Sequence, residues 1–331
     1  MSRTIEDGIA AAALYRSLTP DEVADLASGL ELRWFAPGEP LMAQGEASDG
    51  AYVIVSGRVT VAKRLPGGGE TAIAELGPGD LVGEMALLMR GGRRTATARA
   101  VGPVEALFTD HRYFEATLNL LRPASLKVLR QLGLTIAERL RAARIRSRAM
   151  IEAATDQGLF RATPGGEAHP PEPFDVRAFL PILPCLRAFA VAEIDALFSI
   201  ARIEQAPRGQ AISEEGRAID APRLVVRGAL MLAQRQGARV CQLDILGPGR
   251  FAGVAPVLEG APAGAAVIAA EDSTVLAFDA AGFVDLWLGH DRLALRLLDA
   301  VNADLVLSLN TADNHLTRMS AQARLKTLAE A

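Results

Sequence analysis

Two stretches of this chain follow one plan, and that repeat limits the possible folds more than any other feature. Leu76-Gly77-Pro78-Gly79-Asp80 reappears as Leu246-Gly247-Pro248-Gly249-Arg250, and Gly77 through Phe108 reads against Gly247 through Phe278 without a gap. Upstream, the turn Phe35-Ala36-Pro37-Gly38 is matched by Ala206-Pro207-Arg208-Gly209. The strand–glycine–strand run Ala51–Val55, Gly57, Val59–Ala62 is matched by Leu224–Leu230 around Gly228. One repetition of this length is a domain duplication, not a solenoid. A chain of 331 residues is long enough for two cores. Short strands separated by turns imply, in each half, a small barrel or sandwich with helices at its ends.

The connecting segments fit the same plan. Thr19 can cap a helix that starts at Pro20, where Asp21 and Glu22 suit the positive helix end. From Ser125 to about Ala153 the only break is Gly133, and Leu129, Leu132, Ile136, Leu140 and Ala143 recur at helical spacing. This predicts a long helix whose apolar stripe pairs with its copy in a homodimer. Thr163–Gly166 and His169–Pro173 read as a flexible or extended linker, with Pro66–Gly69 as a hairpin tip. A second apolar stripe, Ala294 to Ala312, closes the chain. The expected division is residues 1–153, a linker at 154–176, and a second domain at 177–331.

Composition narrows the class. Half of the residues are hydrophobic and 22% charged, as in a soluble globular protein, and the net charge of -4 exerts no general pull toward nucleic acid or anionic membrane. No run has the shape of a membrane span or signal peptide. Cys185 and Cys241 sit in apolar surroundings and read as buried thiols, which fits a reducing cytoplasm, with no metal site expected. His111, His169, His290 and His315 are scattered and read as surface residues. The five arginines from Arg139 to Arg148 read as the solvated face of a helix, with a nucleic-acid patch as the lesser alternative. No Walker loop, nucleophile elbow or paired-histidine motif occurs, so catalysis is not expected.

The segment that carries chemistry is Gly79–Leu88, a short insert, and Arg93-Arg94-Thr95-Ala96-Thr97. Gly83 lets the backbone approach a ligand closely. Glu84-Met85-Ala86-Leu87-Leu88 has helix propensity, and the first amides of such a helix suit a phosphate. Arg94 lies ten residues beyond Glu84 and can return to the same spot, where a guanidinium grips phosphate oxygens in pairs. Thr95 adds a hydroxyl donor.

These residues resemble the phosphate-binding cassette of the cyclic-nucleotide-binding domain family, whose pattern is Gly-Glu-x-Ala-Leu, an insert, then Arg-(Ser/Thr/Ala)-Ala-Thr. Gly83, Glu84, Ala86, Leu87, Arg94, Thr95, Ala96 and Thr97 match it. The resemblance implies a mainly β fold with flanking helices: two jelly-roll-like barrels joined by a long helix and a linker. It implies that Glu84 binds the ribose 2′-hydroxyl and Arg94 neutralises the cyclic phosphate. Gly83, the backbone near Met85 and Ala86, and the Thr95 hydroxyl complete the cradle. The implied ligand is cAMP or cGMP, with cAMP preferred, and the implied role is that of a regulatory protein acting on a protein effector.

In the gap-free register, Glu84 becomes Val254, Arg94 becomes Gly264 and Thr95 becomes Ala265, so the second half lacks every charged group the cassette needs. A single ligand per chain is therefore expected. Two other readings stay open at this level: a ligand-free adaptor using the same fold, and a DNA-binding regulator with an unrecognised output region.

Overall fold

The computed structural model describes residues 5–64, 69–88, 92–153, 160–162, 174–236 and 239–330. The hairpin tip at 66–68, the insert at 89–91 and the Pro/Gly-rich stretch at 163–173 lie outside the described residues. Two compact units emerge, Met1–Leu132 with His290–Leu295, and Gly133–Gly289 with Arg296–Ala331.

The first unit begins with α1 (Ile5–Ala11) and α2 (Pro20–Ala27). Thr19 caps α2: its Oγ1 accepts from the Glu22 amide at 3.3 Å, and Glu22 Oε2 accepts from the Thr19 amide at 2.7 Å. The strands are β1 (Leu30–Phe35), β2 (Pro40–Met42), β3 (Gly50–Ser56), β4 (Val59–Arg64), β5 (Glu70–Leu76), β6 (Leu81–Val82), β7 (Thr97–Ala100) and β8 (Val104–Asp110). Helix α3 (Met85–Leu88) lies between β6 and β7, and α4 (His111–Asn119) and α5 (Pro123–Ala153) follow β8. The strands form two four-stranded antiparallel sheets, in the orders β1-β8-β3-β6 and β2-β7-β4-β5. Alternation sends Val59 and Val61 of β4, and Val104, Ala106 and Phe108 of β8, into one core with Tyr52 and Ile54. The opposite faces of β3 and β8 turn Val55 and Leu107 toward Gly8 of α1.

The second unit repeats this order. After β9 (Phe160–Ala162) come α6 (Val176–Phe179), α7 (Val191–Ser199), β10 (Ala201–Ala206), β11 (Ala211–Ser213), β12 (Arg223–Arg227), β13 (Leu230–Gln236), β14 (Arg239–Leu246) and β15 (Phe251–Ala252). Then follow α8 (Val254–Glu259), β16 (Ala266–Ala269), β17 (Ser273–Phe278), α9 (Ala280–Leu288) and α10 (Arg292–Glu330). The sheets run β10-β17-β12-β15 and β11-β16-β13-β14-β9. The extra strand, β9, comes from the stretch read as linker and pairs antiparallel with β14.

The register of the repeat differs from the sequence reading. Gly83 and Gly253 are true counterparts, with φ of +81° and +79°. Beyond them the second half is one residue shorter. Arg94 N donates to Glu46 O, and the matching bond is from Ala263 N to Arg217 O. Likewise Met42 pairs with Ala98, and Ser213 with Val267. The counterpart of Arg94 is therefore Ala263 rather than Gly264, and that of Thr95 is Gly264 rather than Ala265. The loss of charge stands, but the positions move by one.

The apolar stripe of α5 is covered within the chain. Ile136, Leu140 and Ala143 are buried, as are Leu129 and Leu132. In the second unit, residues 133–153 of α5 run beside α10. Gly133 and Asn302 lie equally far from the starts of their helices, at Pro123 and Arg292, and they meet. A Cβ on Gly133 would fall 2.1 Å from Asn302 Oδ1, so glycine permits this close approach without breaking the helix. Farther along, Ser147 and Ile151 of α5 reach Met319 of α10. The helices are thus parallel and nearly in register. Leu140 and Ala143 of the stripe face Ser308, Thr311 and Ala312 of α10 in the same chain, where the sequence reading expected a second copy.

Cys185 and Cys241 are free thiols; Cys241 is buried, and Cys185 is partly exposed rather than buried. Burial pushes the Cys185 thiol up to about 12. Among the described residues, no helix is long and apolar enough to cross a membrane.

Candidate functional site

The cassette of the first unit is organised by Gly83 and Arg94. Strand β6 delivers the chain to Gly83, whose left-handed conformation turns it into Glu84 and α3. Leu87 N and Leu88 N donate to Glu84 O at 3.0 and 3.1 Å. The amides of Met85 and Ala86, in the first turn, have no intrahelical acceptor. The Arg94 side chain is 3% exposed and crosses over Gly83, where a Cβ would fall 2.5 Å from Nη1. Glycine is required here for space as well as for φ.

Arg94 is held on three sides. Nη1 donates to Gly50 O at 2.7 Å and to Gly83 O at 3.4 Å, and Nη2 donates to Asp49 Oδ1 at 2.5 Å. Nε–H makes none of these bonds. The ion-pair partner is Asp49 and not Glu84, although Glu84 is itself buried at 6% exposure. A buried cation held by two carbonyls and one carboxylate that is 59% exposed keeps donor capacity for an anion at the mouth of the site. The loop before β3 fixes the arginine's backbone, since Gly45 N donates to Arg94 O at 2.8 Å and Arg94 N to Glu46 O at 2.9 Å. Thr95 is exposed, with Oγ1 3.6 Å from Met85 Sδ. Ala96 belongs to the core, and Thr97 Oγ1 accepts from Gln44 N at 3.1 Å.

The structure thus brings Gly83, Glu84, Met85, Ala86, Arg94 and Thr95 into one cassette. It adds Asp49 and the Gly50 carbonyl, which sequence reasoning missed. Asp49 is 45 residues from Arg94 along the chain, and only sheet pairing brings them together.

The second unit keeps the backbone of this site and fills its interior. Gly253 has the same conformation, but its neighbour is Ile219, whose Cγ2 lies 3.0 Å from where a Cβ would stand. Ile219 occupies the side on which Arg94 lies in the first unit. Val254, Ala255, Ala265, Ala266 and Val267 are all buried. Asp220, the counterpart of Asp49, pairs with Arg223, which holds its carboxyl below the usual range against the opposing effect of burial.

Of the arginine run on α5, Arg141 and Arg146 are exposed, as expected of a solvated face, whereas Arg139, Arg144 and Arg148 are half-buried. Arg141 pairs with Glu259 at 3.2 Å and Arg148 with Glu215 at 2.8 Å, while burial lowers the pKa of Arg144. His315 is half-buried rather than on the surface, and burial lowers its pKa. Asp304, on α10, is pushed up to about 6 by burial, although Arg250 hydrogen-bonds to it.

Known proteins share these features. The family model described as "Cyclic nucleotide-binding domain" matches residues 32–119 and again 203–290, together more than half of the chain. The "Cyclic AMP receptor protein" of Thermus thermophilus is 38% identical over 130 residues, covering 39% of this chain and 58% of that protein. The "cAMP-dependent protein kinase regulatory subunit" of Mycosarcoma maydis is 37% identical over 92 residues, 28% of this chain and 17% of that one. The chain therefore spans less than two thirds of either relative. A solved regulatory domain of Toxoplasma gondii PKA with cAMP shares 18% identity, covering 85% of this chain and 90% of that one at a TM-score of 0.32. Two matched windows, two barrels of one topology and a cassette built on Gly83 and Arg94 lead to one assignment: the chain belongs to the cyclic nucleotide-binding domain family and carries two such domains in tandem.

Proposed function

We propose that this protein is a non-catalytic cyclic-nucleotide sensor that binds one cAMP per chain, in its first domain. The observation that carries this reading is the buried Arg94 guanidinium, held over Gly83 in the first cassette and replaced by Ala263 in the second. A cyclic phosphate carries a full negative charge, and burying it without a cation costs several kcal/mol that amides alone do not offset. Arg94 takes the phosphate, helped by the Met85 and Ala86 amides and the Thr95 hydroxyl. Glu84 accepts from the ribose 2′-hydroxyl. Ala263, Gly264 and Val254 supply none of these groups. Similarity to a cyclic AMP receptor protein and to a cAMP-dependent protein kinase regulatory subunit favours cAMP over cGMP.

The first domain comprises residues 1–153 and the second 177–331, and the chain passes its signal to a protein effector in the cytoplasm. Isothermal titration of the full chain with cAMP and with cGMP tests this. One equivalent of cAMP, bound more tightly than cGMP, is expected. Two equivalents would overturn the one-site reading, and no binding of either nucleotide would favour an adaptor.

A further inference from the structure

The cassette of the second unit is covered by part of the chain itself. Residues 133–153 of α5 lie across it, held at both the main chain and the side chains. Gln234, 1% exposed on β13, donates its amide hydrogens to Arg144 O at 3.0 Å and to Gly264 O at 3.2 Å. One buried side chain thus ties the backbone of the helix to the backbone of the cassette. Gly264 is the counterpart of Thr95, and the Arg144 stem lies on it: a Cβ there would stand 3.5 Å from Arg144 Cδ and 3.7 Å from its Cβ. Arg141 reaches Glu259 at the end of α8, the cassette helix, and Arg148 reaches Glu215 on the loop after β11. Three arginines spaced three and four residues apart share one face of α5, and all three meet the rim of the cassette. A small cavity beside this contact is lined by Leu140, Ala143 and Arg144 of α5, Leu243 and Asp244 of β14, and His315 of α10.

We infer that the second domain has exchanged its nucleotide for residues 133–153 of α5, which its cassette holds as a built-in helical ligand. The groups that replaced the nucleotide-binding set serve that helix. Gly264 makes room for Arg144, Gln234 supplies the two-way bond, and Ile219 fills the seat of the missing arginine. Helix α5 is continuous from Pro123, so its hold on the second cassette is a latch on the helix that leaves the first domain. The inference rests on the reading that the second cassette holds no nucleotide, and its test uses none.

Hydrogen exchange of the full-length, nucleotide-free chain reads the latch. Gly264→Leu would drive a side chain into the Arg144 stem, and amides in 133–153 are expected to exchange about tenfold faster while those of β3 and β8 stay unchanged. Gly264→Ala makes only ordinary contacts and should match the wild type. Adding Arg144→Ala to Gly264→Leu makes space again and should restore most of the protection, which a general folding defect would not do. Gln234→Leu, which removes both amide bonds, should loosen the same segment. Undiminished protection of 133–153 in both Gly264→Leu and Gln234→Leu would overturn the inference, as would failure of the double variant to recover. A chain that binds no nucleotide at all can still show the latch, so its failure is separable from failure of the sensor reading.

Discussion

Arg94→Ala is the most informative perturbation of the first cassette. Its side chain is 3% exposed, and three bonds, to Gly50 O, Gly83 O and Asp49, hold it in place before any ligand arrives. Little further ordering is needed on binding, so the charge it offers a phosphate is preorganised. Removing one partner of such a buried pair costs roughly 2–5 kcal/mol, or about thirty-fold to several thousand-fold in Kd. The effect on folding is smaller. Asp49 is 59% exposed and rehydrates, and the two carbonyls left without a donor lose toward the low end of about 1–3 kcal/mol each, because water can enter beside Asp49. Arg94→Lys keeps the charge but loses the planar fork, and should fall between alanine and wild type. Titration calorimetry with cAMP measures the affinity, and thermal unfolding without nucleotide measures the stability. Affinity in Arg94→Ala within about threefold of wild type would refute the assignment of Arg94 as the phosphate cation.

Two further substitutions separate the roles of the remaining cassette residues. Gly83→Ala meets both a φ of +81° and an atom 2.5 Å away, so it should displace the Arg94 guanidinium and weaken cAMP binding at least about tenfold in a titration; unchanged affinity would mean that Arg94 is not seated over Gly83 when ligand is bound. Glu84→Gln keeps an acceptor for the ribose hydroxyl and should cost only roughly 0.5–1.5 kcal/mol, about two- to twelvefold, so a loss of about a hundredfold or more would contradict its role as a sugar contact.

The sequence makes much of this legible where the signal is local. The duplicated turns and strand–glycine–strand runs imply two barrels, Thr19 marks the start of α2, and the spacing of Gly83, Glu84 and Arg94 marks the cassette. Signals that depend on distant partners were out of reach. Asp49 is an unremarkable loop acid until residues 45–48 bond to the backbone of Gly92–Arg94 and place it beside Arg94. The ion pairs of Arg141 and Arg148 are hidden because their acidic partners, Glu259 and Glu215, come from elements far along the chain. The deletion lies between Gly253 and Ala263, and the small residues of Ala261-Pro262-Ala263-Gly264-Ala265-Ala266 look alike in either register, so only the ladder bonds of Ala263 and Val267 reveal it. The β9 strand is equally silent: three residues are too few to carry a period.

The α5 stripe shows how a duplicated chain can satisfy a surface that a single domain leaves open. An amphipathic helix such as α5 must cover Ile136, Leu140 and Ala143, and a lone domain can do so only with its own barrel or with a second copy. A tandem chain has a third choice, since the helix closing the second repeat carries the same kind of stripe. Gly133 meets Asn302, the same position counted from the start of each helix. Because the two helices differ in sequence, the pair need not be symmetric in what it offers. The α5 face carries Arg141, Arg144 and Arg148, whereas residues 313–318 of α10 carry Asp313, Asn314, His315 and Arg318. Identical copies cannot dedicate one helix to a neighbouring cassette without dedicating the other in the same way. Duplication removes that constraint, and it allows one cassette to keep Arg94 for a ligand while the other gives up its charges to hold a helix.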